Sequence, residues 1–158
     1  MKRRREKNSK HLVVDACVAQ SAGETEHPVS SACRKVLQDI LDICHHVVVT
    51  EEIKREWNTH QSRFTRKWRV YMAARNKPLS SVSPSQVKVD TSFCSERIRI
   101  AVEKDLCLLE AALSADRVII TRDRALQEAL STFPEGRKLS AKIRWIDPVQ
   151  DSSGIENL

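Results

Sequence analysis

The sequence predicts an α/β protein with three layers, in which helices cover both faces of a central, mainly parallel sheet of about four or five strands. Two observations predict this fold class. Short apolar runs alternate along the chain with longer segments whose apolar residues recur at helical spacing. This alternation is typical of parallel sheets, because two parallel neighbours need a long crossover between them. A length of 158 residues suits one domain with a single core.

The first half of the chain predicts two strands joined by a helix. His11 to Asp15 is an apolar run that ends in an acid, which predicts a strand whose acid lies at the rim of the sheet. Residues 19–27 predict a loop. Pro28 suits the first turn of a helix that continues to about Cys44, and the second strand is predicted at 46–49.

The middle of the chain predicts a helical region followed by a long loop. Thr50 is placed to cap a helix that begins at the end of the second strand. Four aromatic residues then recur at helical steps and predict one buried stripe, made of Trp57, Phe64, Trp68 and Tyr71. Residues 76–91 are rich in proline and serine, which predicts a loop long enough to act as a lid or a binding segment.

The second half predicts helices and strands that return to the same edge of the sheet. A helix is predicted from about Ser92 to Glu103, and Asp105 is predicted to start a separate one. The β-branched run 118–120 predicts a buried strand that ends just before Asp123. The remaining elements are a short helix at 124–131, a turn-rich connection at 133–141, a last strand at 142–146 and a polar tail that frays from residue 150.

Composition divides the chain into a basic disordered tail at residues 1–10, a folded domain at 11–148 and a polar tail at 149–158. The formal net charge of +6 favours a polyanionic partner such as a nucleic acid. The five cysteines include no C-x-x-C pair, which indicates reduced thiols rather than a disulfide framework or a zinc site. With no apolar run of membrane-spanning length, we expect a cytoplasmic protein with no membrane partner.

Four acidic side chains are predicted to converge at one edge of the sheet. Asp15 and Asp123 each follow a strand, and Asp105 begins a helix at the same edge. Glu56 can lean over this crevice from the helix after the second strand, and Glu52, one turn earlier, is the alternative. Because like charges raise one another's pKa, the cluster calls for hard dications such as Mg²⁺ or Mn²⁺.

This cluster predicts phosphodiester hydrolysis, because carboxylate-held dications activate water and clamp a phosphoryl group during displacement. A basic run without any acid lies between residues 57 and 77 and predicts phosphate contacts. Its cations are Arg63, Arg66, Lys67, Arg69, Arg75 and Lys77.

Other polar residues are assigned plainer roles. Asp116 precedes its strand, so it is predicted at the far edge of the sheet and in a turn. Asp147 is followed by Pro148 and is also predicted to form a turn. His45 and His46 are adjacent at the amino end of a strand and point to opposite sides, so they are not predicted metal ligands.

Three segments resemble the acidic motifs of the PIN domain, a metal-dependent ribonuclease family related to flap endonucleases. They are VVDACV at 13–18, VVVTEEIKREW at 47–57 and DLCLLEAALSADRVIITRD at 105–123, and the resemblance spans residues 11–148. It implies an endonuclease of single-stranded RNA that uses one or two Mg²⁺ or Mn²⁺ ions. The residues it matches to catalysis and metal binding are Asp15, Glu56, Asp105 and Asp123, with Thr121 as the hydroxyl residue that orients Asp15.

The resemblance leaves the biological role open. It fits a toxin whose partner is an antitoxin protein, and it equally fits an RNA-processing nuclease; it also implies a homodimer. The main alternative is a non-catalytic PIN-like module, in which the acids persist and the basic face binds single-stranded or structured RNA.

Overall fold

The computed structural model describes residues 9–158, so most of the predicted basic tail, residues 1–8, lies outside the described residues. The described chain contains five strands and seven helices. The strands are β1 (His11–Val14), β2 (His46–Val49), β3 (Ser80–Ser81), β4 (Val118–Ile120) and β5 (Arg144–Ile146). The helices are α1 (Ala16–Ser21), α2 (Pro28–Ile43), α3 (Glu51–His60), α4 (Arg63–Ala74), α5 (Glu96–Leu113), α6 (Ala125–Ser131) and α7 (Pro134–Ala141).

The strands form one parallel sheet in the order β3-β2-β1-β4-β5, with β1 at its centre. Parallel pairing brings the carboxyl ends of all five strands to one edge and their amino ends to the other. Helices flank the sheet, so the predicted three-layer α/β/α class and its parallel sheet are confirmed.

The core is the sheet itself, covered on both faces. Leu12, Val13 and Val14 of β1 are all completely buried, although successive side chains of a strand point to opposite faces. A continuous apolar run is therefore what this position requires, because a central parallel strand meets helices on either side. Burying each such side chain contributes about 1.5–3 kcal/mol before the entropic cost of ordering the chain.

Two tryptophans tie the helices of the middle region to the sheet. Trp57 donates its indole N–H to the carbonyl of Val14 at 2.9 Å, and Trp68 donates to the carbonyl of Leu37 at 2.6 Å. Their ring centroids lie 6.0 Å apart, and both side chains are buried. Each ring thus fills core volume while its one polar atom is paired.

The predicted single stripe of aromatic residues is wrong in part. The hydroxyl of Ser62 caps a new helix by accepting from Thr65 N at 3.0 Å, so α3 and α4 have separate axes. Only the step from Trp57 to Phe64 crosses this break, and within α4 the buried face is formed by Thr65, Trp68 and Met72. Tyr71, which was expected in the core, is 60% exposed.

Two predicted boundaries need correction, and one predicted break is present as a kink. The break lies at Asp105, whose backbone is non-helical, and α5 continues as helical segments on either side of it. The loop at 76–91 contains the edge strand β3. The connection at 133–141 is the helix α7, in which proline occupies a first-turn position.

Two segments that were predicted to be irregular are more ordered than expected. Part of the expected loop at 19–27 belongs to α1. The C-terminal segment does not fray, since Ile155 is buried in the core. Lys35 also holds this segment, donating to Glu156 at 2.8 Å and to the carbonyl of Ser152 at 2.9 Å.

Every helix of residues 9–158 is too short or too polar to cross a bilayer.

The two aromatic side chains of α4 give a matched test of this packing. We expect Trp68→Ala to lower the free energy of unfolding by about 3–5 kcal/mol, because it empties a fully enclosed site. Tyr71→Ala on the same helix should change it by less than about 0.5 kcal/mol. Urea denaturation measures both, and equal losses would contradict the assignment of Tyr71 to the surface.

Candidate metal centre

Asp15 and Asp123 lie at the carboxyl edge of the sheet because they follow neighbouring strands. The backbone N–H of Asp15 donates to the carbonyl of Ile120 at 2.9 Å, which continues the β1–β4 pairing one residue past β1. Asp123 follows β4 after a short turn. The structure therefore places both acids at the predicted edge.

The hydroxyl of Thr121 connects these two acidic positions. It donates to Oδ2 of Asp15 at 2.8 Å and accepts from the backbone N–H of Asp123 at 3.0 Å. Thr121 and Asp15 are both buried, at 7% and 8% exposure. A charge-assisted hydrogen bond of this kind fixes the orientation of the carboxylate, which is the placement that the resemblance implied for Thr121.

Cys17 is a third side chain at this position, to which the sequence analysis gave no role. Its thiol donates to Oδ2 of Asp15 at 3.4 Å, and its sulfur lies 3.6 Å from Oγ1 of Thr121. Burial, and then the charge of Asp15, raise the pKa of the Cys17 thiol, so it stays a neutral donor. The only sequence signal was its position two residues after Asp15.

Asp105 brings a carboxylate to the same place from α5. It occupies the kink, with φ −114° and ψ 16°, and is half-buried. Burial raises the pKa of Asp105 to about 6, and the negative charges of Asp15, Asp123 and Glu56 raise it further. The positive charge of Lys104 acts in the opposite direction and lowers this pKa. The charges of the other three predicted acids therefore all reach Asp105.

The same charges distinguish the two candidates for the second acid. Glu56 raises the pKa of Asp105, whereas the Glu52 charge acts on Cys107 and Glu110. Glu56 is exposed on α3, one residue before the buried Trp57. Of the two glutamates, Glu56 is the one whose charge raises the pKa of Asp105, and it stays the predicted fourth acid.

A divalent ion fits this site by its donor chemistry. The four acids offer only carboxylate oxygens, which hard ions such as Mg²⁺ and Mn²⁺ prefer. Within residues 9–158, no three His, Cys, Asp or Glu side chains are arranged to bind one ion directly. Mg²⁺ commonly keeps several waters and needs only one or two carboxylates from the protein, so a ligand set completed by water suits these residues.

Asp116, Asp147 and His46 were not assigned to the metal site, and each lies at the position in the sheet or turn that the sequence predicts. Asp116 is at the amino edge, where it accepts from the backbone N–H of His11 at 2.6 Å. Asp147 forms a turn by accepting from Val149 N at 2.9 Å. His46 is also at the amino edge and stacks on His11, with ring centroids 4.5 Å apart.

The predicted basic run is divided between different parts of the surface. Arg63, Arg66 and Lys67 are exposed near the start of α4, and Lys67 pairs with Glu24 at 3.1 Å. Arg69 is half-buried and donates to Asn58 and Gln61.

Arg75 and Lys77 do not face the acids. They donate to the carbonyls of Leu41 and Cys44, at the C-terminal end of α2 and the amino edge of the sheet. Both cations stabilise a helix end there, since carbonyls at a helix C-terminus carry partial negative charge. The prediction that the whole run lies beside the acidic crevice is therefore wrong for these two residues.

Two cations beside the acids were missed by the sequence analysis. Arg122 lies between Thr121 and Asp123, is exposed, and donates to the hydroxyl of Ser21 at 3.2 Å. Lys104 precedes Asp105 and opposes the rise of its pKa. Their direct adjacency to predicted acids was the available signal.

Comparisons with protein-family models, with curated proteins and with solved structures each returned no match. The PIN resemblance therefore rests on residues 13–18, 47–57 and 105–123 alone.

Convergence of the acids predicts a specific pH dependence of stability. Because the pKa of Asp105 is raised in the folded protein, its carboxyl group favours folding below its unfolded pKa, and this contribution disappears as the pH rises through about 6. In metal-free buffer we expect Asp105→Asn to be more stable than wild type by about 1 kcal/mol at neutral pH, after allowance for solvent screening. The two proteins should converge near pH 4, close to the unfolded pKa.

Glu103→Gln is the matched control, because Glu103 is an exposed acid on the same helix. Its unfolding free energy should follow that of wild type within about 0.5 kcal/mol. Chemical denaturation between pH 4 and pH 8 measures all three proteins. If the unfolding free energies of Asp105→Asn and wild type changed in parallel with pH, burial and the neighbouring acids would not raise the pKa of Asp105.

Proposed function

We propose that this protein is a Mg²⁺- or Mn²⁺-dependent endoribonuclease that hydrolyses phosphodiester bonds of single-stranded RNA. The observation that carries the proposal is the meeting of separate segments at one edge of the sheet. Thr121 joins Asp15 to the backbone of Asp123, and the charges of both acids reach Asp105. Structural acids are normally spread out or paired with cations, so a half-buried group of acids is expected at a functional site.

The residues that would hold one or two ions are Asp15, Asp105 and Asp123, with Glu56 on the solvent side. When bound, such ions lower the pKa of a water molecule and stabilise charge on a phosphoryl group. The positive charge would also remove the repulsion that raises the pKa of Asp105.

The chain's own residues have distinct tasks in this proposal. Thr121 and Cys17 donate to the same oxygen of Asp15, which leaves Oδ1 free to face a ligand. Glu56 is exposed, so its carboxylate can accept a proton from an approaching water. Arg122 is exposed between two site residues, and its guanidinium suits a phosphate of the RNA strand.

The biological setting of this activity follows the resemblance alone. A toxin held by an antitoxin protein and a cytoplasmic RNA-processing nuclease are both compatible with the same site, and homodimerisation belongs to either role. Arg63, Arg66 and Lys67 on α4 are exposed, and they remain the members of the predicted basic run that are candidates for RNA contacts.

A non-catalytic RNA-binding module is the second candidate. The observation in its favour is that no three potential ligands within residues 9–158 are arranged around one ion. In that case the acids would be remnants of a site, and the cations would carry the function.

An RNA cleavage assay separates the two functions. We expect wild type to cut single-stranded RNA in Mn²⁺ or Mg²⁺, and Asp15→Asn or Asp123→Asn to lose activity by about a hundredfold or more, because each removes charge that the ions require. Asp147→Asn is the matched control, since Asp147 also follows a strand at this edge but forms a turn. Binding of RNA by wild type without any metal-dependent cutting would favour the module.

The choice between Glu56 and Glu52 is tested by a matched pair on α3. We expect Glu56→Gln to reduce cleavage by about tenfold or more and Glu52→Gln by less than about twofold. Carboxyl-group NMR titration gives an independent readout: Glu56→Gln should lower the pKa of Asp105, because one neighbouring negative charge is removed. The reverse pattern would assign the second acid to Glu52.

A further inference from the structure

The edge of the sheet opposite the carboxylates carries a row of cations, here called the basic rim: Lys10, Arg117, Lys142 and Arg144. Lys10 and Arg117 directly precede β1 and β4, and the other two lie at the start of β5. These strands are consecutive in the sheet. Neighbouring strands are spaced about 4.8 Å apart, so the backbones that carry the row span about 10 Å.

The four side chains line one open surface cavity of about 380 Å³, together with Asp116 and Leu158. Asp116 is already engaged, because it accepts from His11 N at 2.6 Å and lies 3.4 Å from the His11 imidazole. Among its lining side chains, four cations stand against the one carboxylate of Asp116. The cavity therefore has a net positive charge.

The cations of the rim are available to a ligand. Arg117 and Lys142 are exposed, and neither side chain makes a hydrogen bond or an ion pair with any residue in the range 9–158. Arg144 is exposed too, and its guanidinium donates to the carbonyl of Asn157 at 3.2 Å. A carbonyl acceptor leaves the positive charge of that arginine uncompensated.

The backbone of Arg117 supplies a second observation. Its φ is 61°, in the left-handed region that glycine adopts far more readily than a residue with a long side chain. Arg117 itself is held through its backbone: Arg117 N donates to Ala112 O at 3.0 Å, and Arg117 O accepts from Arg144 N at 2.8 Å. The fold thus keeps a cation at a position where glycine would be less strained and where no protein group uses the guanidinium.

We infer that the basic rim binds the sugar–phosphate backbone of a nucleic acid strand. Guanidinium groups pair with phosphate oxygens through two parallel hydrogen bonds, and a row of cations matches a chain of phosphates. The large exposed apolar side chains of the described chain lie elsewhere, so the rim lacks the residues that insert into a membrane. The printed sequence also places five further cations within residues 2–7, just ahead of Lys10.

This surface is distinct from the candidate metal centre. The strand β1 has four residues, which separates the two edges by about 13 Å. The inference therefore does not depend on cleavage, and it is tested without any divalent ion.

The test uses the full chain and a fluorescent single-stranded oligouridylate in EDTA, with fluorescence anisotropy as the readout. We expect Arg117→Gln/Lys142→Gln to weaken binding by about 25-fold at about 0.1 M salt, since each lost phosphate contact reduces the salt slope by about 0.7. Arg55→Gln/Arg97→Gln removes the same charge from exposed sites on α3 and α5 and should bind like wild type. If both double variants weakened RNA binding equally, the loss would be due to the lower net charge of the protein, and the inference would be overturned.

Arg117→Gly separates binding from folding. It should raise the urea midpoint or leave it unchanged, because glycine relieves the left-handed strain, and yet weaken RNA binding by about fivefold at about 0.1 M salt. Unchanged RNA affinity in this variant and in Arg117→Gln/Lys142→Gln would overturn the inference. Vesicles with anionic lipid form the second arm, and a rim-dependent binding of vesicles but not of RNA would assign the surface to a membrane instead.

Discussion

The hydrogen bond from Thr121 to Asp15 depends on the pairing of β1 with β4. Val14 and Ile120 are partners in that pairing, so the residues that follow them leave the sheet side by side. The hydroxyl then bridges a carboxylate on one segment and a backbone N–H on the other, at 2.8 and 3.0 Å. Should the register shift by one residue, Thr121 would point to the other face and Asp15 would lose its donor.

The parallel sheet also separates charge across the molecule. Residues that follow strands are acidic at positions 15 and 123, whereas those that precede strands are basic at positions 10 and 117. Because every strand runs in the same direction, these local preferences add up to one acidic edge and one basic edge. Arg75 and Lys77 increase the positive charge of the basic edge while they stabilise the end of α2. The electrostatic potential at the protein surface is therefore expected to change sign between the two edges of the sheet, and a bound nucleic acid would be attracted to the basic edge.

The sequence predicted those parts of the fold that depend on local pattern. The apolar runs of β1, β2 and β4 and the proline at the start of α2 each identify their element without help from distant residues. The errors arose where tertiary contacts decide. Ser80 and Ser81 form β3 only because β2 offers them an edge, and nothing in a serine pair predicts a strand. Tyr71 is exposed although it lies on the same helix as Trp68, because Thr65, Trp68 and Met72 form the buried face of α4.

The candidate site shows the same division. Acids that follow strands are predictable, since the topology alone places Asp15 and Asp123 at one edge. The break in the helix at Asp105 was also predicted locally, whereas the choice of Glu56 over Glu52 depends on how α3 lies relative to α5. Cys17 and Arg122 were missed because their residue types have many roles, and only their contacts give them one.

Both edges of the sheet hold features that cost stability in the isolated protein. At one edge, burial and neighbouring charge disfavour the ionised form of Asp105. At the other, Arg117 occupies a left-handed backbone conformation. Each feature would be relieved or used by a ligand of opposite charge, a cation in the first case and a phosphate in the second. Natural chains accept such local costs mainly where function requires them, and here the largely buried central strands β1, β2 and β4 supply stability that offsets them.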